Sequence, residues 1–185
     1  MQTSYTQAVS GVLWNKHVNR LGYEHFLIEG GKSWSDNPLP ICKLFAGNGY
    51  SYDSKSSLYG FGGLLTMTPY AYYTDQFVTV SFRHDFDWKL YKLEKPDGQV
   101  SSAPNICLGY NMLYGTLAHP EVQTKVAFGV PDNAYHETGL MLNNLVRIKY
   151  FELYYLTFNV GYYYHITPSF DFKNGRIVYG IGVEL

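Results

Sequence analysis

The sequence predicts an all-β fold, and more narrowly an antiparallel up-and-down transmembrane β-barrel. Three observations carry that expectation: side chains alternate with period 2, one alternating segment is too long for a soluble sheet, and the composition is rich in Tyr and poor in charge. Tyr supplies 19 of the 185 residues, aromatics reach 18% and charged residues only 16%, against roughly 25% charged in an ordinary soluble domain. Period-2 alternation sends successive side chains to opposite faces, so one face can meet an apolar phase while the other stays polar. The mean hydropathy of -0.19 suits such strands, because the two faces cancel. No apolar run approaches the ~18 residues that would suggest a transmembrane helix.

Taken in chain order, Leu21 to Gly31 and Ser57 to Met67 are the weaker strand candidates, with Gly60, Gly62 and Gly63 marking a bend in the second. From Gln76 to Phe86, Val78, Val80, Phe82 and His84 alternate with Thr79, Ser81, Arg83 and Asp85. From Asn105 to Tyr114, Ile106, Leu108, Tyr110, Met112 and Tyr114 alternate with Cys107, Gly109, Asn111 and Leu113. Gly139 to Tyr150 is the one stretch where a helix competes with a strand. Phe151 to Ile166 is the longest alternating run, about 50 Å if fully extended, whereas a typical soluble strand has ~5–6 residues. One of its faces carries Tyr154, Leu156, Phe158, Val160, Tyr162, Tyr164 and Ile166; the other mixes Tyr155, Thr157, Asn159, Gly161, Tyr163 and His165. Arg176 to Leu185 closes the series, and Asn174-Gly175 predicts a tight hairpin joining it to a segment that starts near Phe170. Ser33 to Pro40 and Leu93 to Pro104 read as loops.

These alternations assign two faces. The lipid-facing set is Val78, Val80, Phe82, Ile106, Leu108, Tyr110, Met112, Tyr154, Leu156, Phe158, Val160, Tyr162, Tyr164, Ile177, Tyr179, Ile181, Val183 and Leu185. The interior polar set is Thr79, Ser81, Arg83, Asn111, Thr157, Asn159 and Glu184. Glu137, Asn143, Asn144, Arg147 and Glu152 are further polar residues that would line or fill the interior. Tyr clusters at segment ends, such as Tyr70, Tyr72 and Tyr73, suit a headgroup level where the ring is buried and the hydroxyl wet.

Catalytic and metal patterns are weak throughout. In His84-Asp85-Phe86-Asp87, a strand turns His84 away from the two carboxylates, which lack a third ligand. His136-Glu137 has no second His at zincin spacing, and Gly60-x-Gly62-Gly63 is too generic for a phosphate cradle. The net charge of -1 gives no footprint for nucleic acid. The two cysteines, Cys42 and Cys107, read as separate small residues rather than a disulfide framework.

A family resemblance enters at Gly47-Asn48-Gly49-Tyr50, followed by a glycine-rich stretch and Thr74-Asp75-Gln76-Phe77 leading into Val80-Ser81-Phe82-Arg83-His84-Asp85-Phe86. With Pro38-Leu39-Pro40 ahead of Leu44, and the run Tyr135-His136-Glu137-Thr138-Gly139-Leu140-Met141-Leu142-Asn143-Asn144-Leu145, it resembles a family of large Bacteroidota outer-membrane proteins. Those proteins join a carboxypeptidase-regulatory-like β-sandwich to a β-barrel domain of unknown function. The resemblance covers roughly Leu21 to Leu185 and implies that the chain is the carboxy-terminal part of a larger barrel, without the sandwich and without peptidase activity. It departs from the pattern of outer-membrane barrels by ending in Leu185 rather than an aromatic residue, while Tyr179, Gly180, Val183 and Leu185 stay compatible with a carboxy-terminal assembly signal.

The expectation is therefore a single barrel domain or barrel fragment over 1–185, in a bacterial outer membrane, non-catalytic and without a cofactor. Its partners would be outer-membrane lipids, the barrel-assembly machinery and the remaining strands of a longer parent chain, since the start Met1-Gln2-Thr3-Ser4 does not read as a signal peptide. The competing expectation is a secreted soluble β-sandwich or lipocalin-like binding module, whose Tyr154 to Ile166 face would pack on a second sheet.

Overall fold

A computed structural model describes residues 4–52, 55–94, 96, 100–123, 126–150, 154–166 and 174–184. Alternation builds seven long strands: β1 (Tyr5–Val18), β2 (Gly22–Ser35), β6 (Gln76–Lys89), β9 (Asn105–Thr116), β10 (Tyr135–Tyr150), β11 (Tyr154–His165) and β12 (Gly175–Glu184). Each pairs antiparallel with the next in that order, so the long strands form an uninterrupted meander. Short strands β3 (Phe45–Ala46), β4 (Ser56–Leu58) and β5 (Tyr73–Thr74) belong to the segment 36–75, and β7 (Leu93–Glu94) pairs with β8 (Val100–Ser102). β4 adds to β12 in parallel, giving an eight-stranded sheet in the order β1-β2-β6-β9-β10-β11-β12-β4.

The sheet is not closed. Among the described residues the outer edge of β1 pairs with nothing, and β1 is exposed along nearly its whole length. The expected all-β, largely antiparallel sheet is present, and of the two expectations, a single barrel domain or a barrel fragment, closure by these strands alone is not seen; strand direction is against it. An odd number of meandering strands leaves β1 and β12 running the same way, so their edges are not antiparallel partners.

For orientation, the end carrying connections 36–75, 117–134 and 166–174 is called upper, and the end carrying 19–21, 90–104 and 151–153 lower. A three-residue connection joins β1 to β2. There Leu21 N–H donates to Val18 O at 2.9 Å, Arg20 sits at φ +67° and Gly22 at φ +127°. A Cβ at Gly22 would collide with the Asp85 carbonyl, so this turn requires glycine.

The segment 36–75 does not stay at the upper end. It crosses the inner face of the sheet, which puts the core between segment and strands. Leu65 packs with Cys107, Met141, Tyr163 and Val178, while Leu64 and Met67 pack with Leu113 and Tyr135. Its backbone is tied to β12 by Ile177 N–H donating to Lys55 O at 2.9 Å and Tyr59 N–H donating to Tyr179 O at 2.6 Å, and is braced within itself by Gly47 N–H donating to Tyr72 O at 2.9 Å. Inner positions opposite this segment are small where it or a buried ring comes close. Tyr163, 2% exposed, lies over Gly109 and Gly139.

Several sequence-based boundaries shift. Gly139 to Tyr150, open to a helical reading, lies within strand β10, whose pairing shifts between Leu142 and Val146 around Asn144 at φ +59°. Ser57 to Met67 contributes only its first residues to a strand, then turns inward. The long run from Phe151 becomes β11 from Tyr154, because Tyr150 pairs with Tyr154; residues 151–153, with Glu152, lie outside the described residues. β12 pairs with β11, Tyr164 opposite Gly175, so Asn174-Gly175 opens β12 instead of turning a two-residue hairpin. The segment near Phe170 is also outside the described residues. β1 has no counterpart among the strands expected from alternation, whereas Leu93 to Pro104, expected to be a loop, holds the β7–β8 pair.

The close approach at Gly139 is testable. A methyl group there would stand 2.5 Å from the Tyr163 ring and from the Tyr162 carbonyl oxygen. Gly139→Ala is expected to destabilise the fold by about 1–3 kcal/mol, seen as a lowered urea midpoint. An unchanged midpoint would place the Tyr163 ring elsewhere.

Candidate functional site

Cross-strand partners share a face, so the register fixes which residues go together. On the outer face Val78, Val80 and Phe82 pair with Tyr114, Met112 and Tyr110, and Leu108 pairs with Leu140. Tyr162, Val160, Phe158 and Leu156 pair with Ile177, Tyr179, Ile181 and Val183. Ile106 pairs with Leu142, Tyr164 with Thr138, and Tyr154 with Tyr150. All described members of the apolar set therefore come together on one face, while Leu185 lies outside the described residues. Among the described residues no second sheet covers that face, and large side chains stay open there: Ile181 is 79% exposed, Ile148 57% and Leu140 56%.

The apolar zone runs obliquely to the inter-strand hydrogen bonds. The row through Val12, Ile28, Val80 and Met112 is apolar, but continues onto β10 at His136. On the first three strands the outward polar group Lys16, Glu24 and His84 lies toward the lower end, in the row that continues to Leu108, Leu140, Tyr162 and Ile177. Tilted strands need this drift if the apolar zone is to be level. His84 is 8% exposed, its ring centroid 4.4 Å from Phe86 and its Nδ1 3.7 Å from Glu24 Oε1.

The inner face gathers the polar set. Ser81 pairs with Asn111, Thr79 with Leu113 and Arg83 with Gly109, while Thr157 and Asn159 pair with Gly182 and Gly180. Glu184 occupies the position opposite Tyr155. Asn111 in turn pairs with Glu137, which is fully buried. The Glu137 carboxylate accepts four hydrogen bonds: Leu65 N–H at 2.7 Å, Thr66 N–H at 2.8 Å, Thr66 Oγ1 at 2.6 Å and Asn111 Nδ2 at 2.8 Å. Charge-assisted bonds of this kind are about twice as strong as neutral ones. They fasten segment 36–75 to the strands.

A second polar cluster lies nearer the lower end. Arg83 grips Asp85 with Nε and Nη2, both at 2.7 Å, and its Nη1 donates to Tyr59 OH at 2.9 Å. The guanidinium also sits 5.1 Å from the Tyr59 ring centroid, within cation–π range. Asn143 Nδ2 donates to Asp85 Oδ1 at 2.8 Å, and His25 Nε2 is 3.4 Å from Asp85 Oδ2. At the upper end a cleft of about 690 Å³ is lined by strand-end and loop residues including Trp34, Asn37, Asp75 and His119. Beside it, a backbone hydrogen bond and the His119 ring hold the Glu121 carboxyl below its usual range.

Alternation in the sequence identifies Arg83 and Asn111, and polarity alone marks Glu137 and Asn143 as candidates for the interior. It does not reveal Tyr59, Leu65 and Thr66, because two of the Glu137 partners act through backbone N–H groups of an irregular segment that has no periodicity. His25 carries a usable signal that alternation offers: it shares the inner face of β2 with Leu27 and Glu29. Asn144 N–H donates to Asn159 Oδ1 at 2.8 Å, which fixes the irregularity in β10. Cys42 is exposed, Cys107 is buried, and both carry free thiols. Among the described residues no three His, Cys, Asp or Glu side chains gather to hold a metal ion.

Comparison of the chain with protein-family models, with curated proteins and with solved structures finds no match in any of the three.

Glu137→Ala leaves several buried donors without an acceptor, each costing about 1–3 kcal/mol. The expected result is a loss of at least about 3 kcal/mol in urea unfolding, with faster protease cutting within residues 59–72. Glu137→Gln, which keeps an acceptor oxygen, should fall between that variant and the parent.

Proposed function

We propose that this chain is wall material of a bacterial outer-membrane β-barrel, non-catalytic, with its outer face in lipid and segment 36–75 filling part of the lumen. The observation that carries the reading is the outer face: a continuous, exposed apolar and aromatic surface over β6, β9, β10, β11 and β12, set obliquely to the register. A soluble protein seldom leaves so large an apolar surface in water, whereas a barrel with tilted strands requires it. Strand length supports the same reading, since β1, β2 and β6 have 14 residues each and β10 has 16, against ~9–11 needed to cross a bilayer.

On this reading further strands stand between β12 and β1. Backbone N–H and C=O groups in hydrocarbon must all be paired, and the open edge of β1 has no partner among the described residues. The short β4 covers only Ile177, Val178 and Tyr179 of the β12 edge, in parallel, so the added strands lie between the β12–β4 border and the open edge of β1. These are the remaining strands of a longer parent chain, as the resemblance to the Bacteroidota barrel proteins implies. Lipids and the barrel-assembly machinery are the other partners, the latter reading the end of β12 around Tyr179, Gly180 and Val183. On this reading the shorter turns favour a periplasmic lower end.

The rival, a soluble sandwich or lipocalin-like module, requires the Tyr154 to Ile166 face to be covered. Instead Phe158 and Tyr162 are 41% and 46% exposed.

Two measurements test the proposal. Protein folded in detergent micelles should migrate differently on a gel when unheated and when boiled, and should not fold to a monodisperse species without detergent; a well-folded monomer in plain buffer would sink the membrane reading. In lipid vesicles, Phe158→Arg should cost about 2–4 kcal/mol of folding free energy if the site lies near the bilayer midplane. The same change at the inward-facing neighbour Asn159 should cost distinctly less.

A further inference from the structure

The outer face carries a groove across β1, β2 and β6, about 460 Å³ in its upper part and about 290 Å³ in the part adjoining it below. Ser10 lies opposite Gly30 and Ala8 opposite Lys32, so small residues form the bed. Val12 and Ile28 bound the groove toward the lower end, Val78 and Tyr114 on the β6 side, and Trp34 toward the upper end. Gly11, Glu29, Gly31 and Phe77 alternate to the inner face and border the groove with their backbone. Lys32 is therefore the one charged side chain that the groove presents among the described residues.

The two neighbouring glycines differ in what the fold asks of them. A Cβ at Gly31 would stand 2.6 Å from Phe77 Cε1 and 3.1 Å from Val9 Cγ2, so packing on the inner face excludes one. A Cβ at Gly30 would come no closer than 3.4 Å to the Phe77 carbonyl oxygen and 3.8 Å to Val78 Cγ2, which is ordinary contact. Glycine inside a strand is costly in chain entropy, and where packing does not require it, it marks the close approach of another molecule. The open bed at Gly30 is such a place.

The upper end of the groove supplies the charge. Lys32 Nζ stands 5.8 Å from the Trp34 ring centroid and forms no ion pair among the described residues. Asp36 and Asp75 lie beyond the ends of β2 and β6, and the Asp75 carboxylate accepts the Ala118 N–H at 2.8 Å. Gln76, the cross-strand partner of Lys32, brings an amide donor to the same level. Toward the lower end of β1, Lys16 Nζ stands 5.9 Å from the Trp14 ring centroid. Tryptophan and lysine together suit the two headgroup levels of a bilayer, with the groove descending from the upper one.

We infer that this groove seats one anionic, phosphate-bearing lipid, an inference that rests on the membrane reading above. One acyl chain lies over Gly30 between Val12, Ile28, Val78 and Tyr114, and the phosphate meets Lys32 and Gln76. From Ile28 to Lys32 the strand rises about 13 Å, enough to seat the upper part of an acyl chain. Elsewhere on the outer face the exposed side chains stand out from the sheet and offer lipid a surface; here the missing side chain offers it a slot.

The test is native mass spectrometry of the full-length protein folded in micelles, its folding confirmed by altered gel mobility before boiling. The probes are phosphatidylglycerol, phosphatidylcholine with the same acyl chains, and inorganic phosphate. One phosphatidylglycerol per chain is expected, bound saturably and about fivefold more tightly than phosphatidylcholine, the gain that one lysine makes near an anionic lipid surface. Lys32→Gln should abolish that preference. Gly30→Leu should remove the retained lipid without lowering the urea midpoint in lipid-free micelles, and inorganic phosphate should not compete. Lys32→Gln, at an exposed position, carries the comparison if Gly30→Leu does not fold. Micelle-folded protein that takes both lipids alike, keeps its preference in Lys32→Gln, or loses the lipid to inorganic phosphate overturns the site alone. So does a Gly30→Leu variant that changes oligomeric state while still retaining lipid, which makes a second copy the occupant. Folding to a monodisperse monomer in detergent-free buffer overturns the membrane reading and the site with it.

Discussion

One buried carboxylate organises this molecule. Glu137 stands at an inner position of β10, where a charge without partners would be very costly. Its two oxygens accept from consecutive backbone N–H groups at Leu65 and Thr66, from the Thr66 hydroxyl and from Asn111 on β9. The dependence is mutual. The carboxylate is tolerable only because segment 36–75 supplies donors, and that irregular segment has its buried N–H groups satisfied only because the strand supplies an acceptor. The two apolar clusters around Leu65 and Leu64 then form on either side of this attachment.

The two faces of the sheet obey different rules as a result. Inside, residues are chosen one by one: glycine beneath Tyr163, Cys107 and Met141 against Leu65, and amides around the irregularity at Asn144. Outside, residues are chosen by class. Isoleucine, valine, leucine, phenylalanine and tyrosine interchange along β11 and β12 with no specific partner required.

This difference explains what the sequence discloses. The outer face is legible because a period of 2 and an apolar class are all it encodes, and β6, β9, β11 and β12 follow from alternation. β1 escapes notice because its residues, such as Thr6, Ala8 and Ser10 on one face, are too small and mixed to show contrast. Gly139 to Tyr150 is ambiguous because the bulge at Asn144 shifts the alternation by a residue and disguises the strand. The inner segment is the least legible. Leu65 and Thr66 reach Glu137 through backbone N–H groups, which every residue carries, and the segment has no period that would single out the buried Leu65 side chain or the Thr66 hydroxyl. Asn174-Gly175 misleads because turn chemistry reports a local preference, whereas the register between Tyr164 and Gly175 is set by the strands.

The parallel attachment of β4 to β12 bears on how such a molecule comes to be assembled. Lys55 and Ser57 belong to the first third of the chain, and Ile177 and Val178 to its last few residues, yet they share a hydrogen-bonded ladder. The early segment therefore waits, its polar backbone unpaired, until nearly every later strand has been placed beside its neighbour. Such late closure delays folding, since the entropy of a long loop is lost before the contact is gained. It also makes the last strand a latch. Once β12 arrives, three residue pairs hold the inner segment against one border of the sheet.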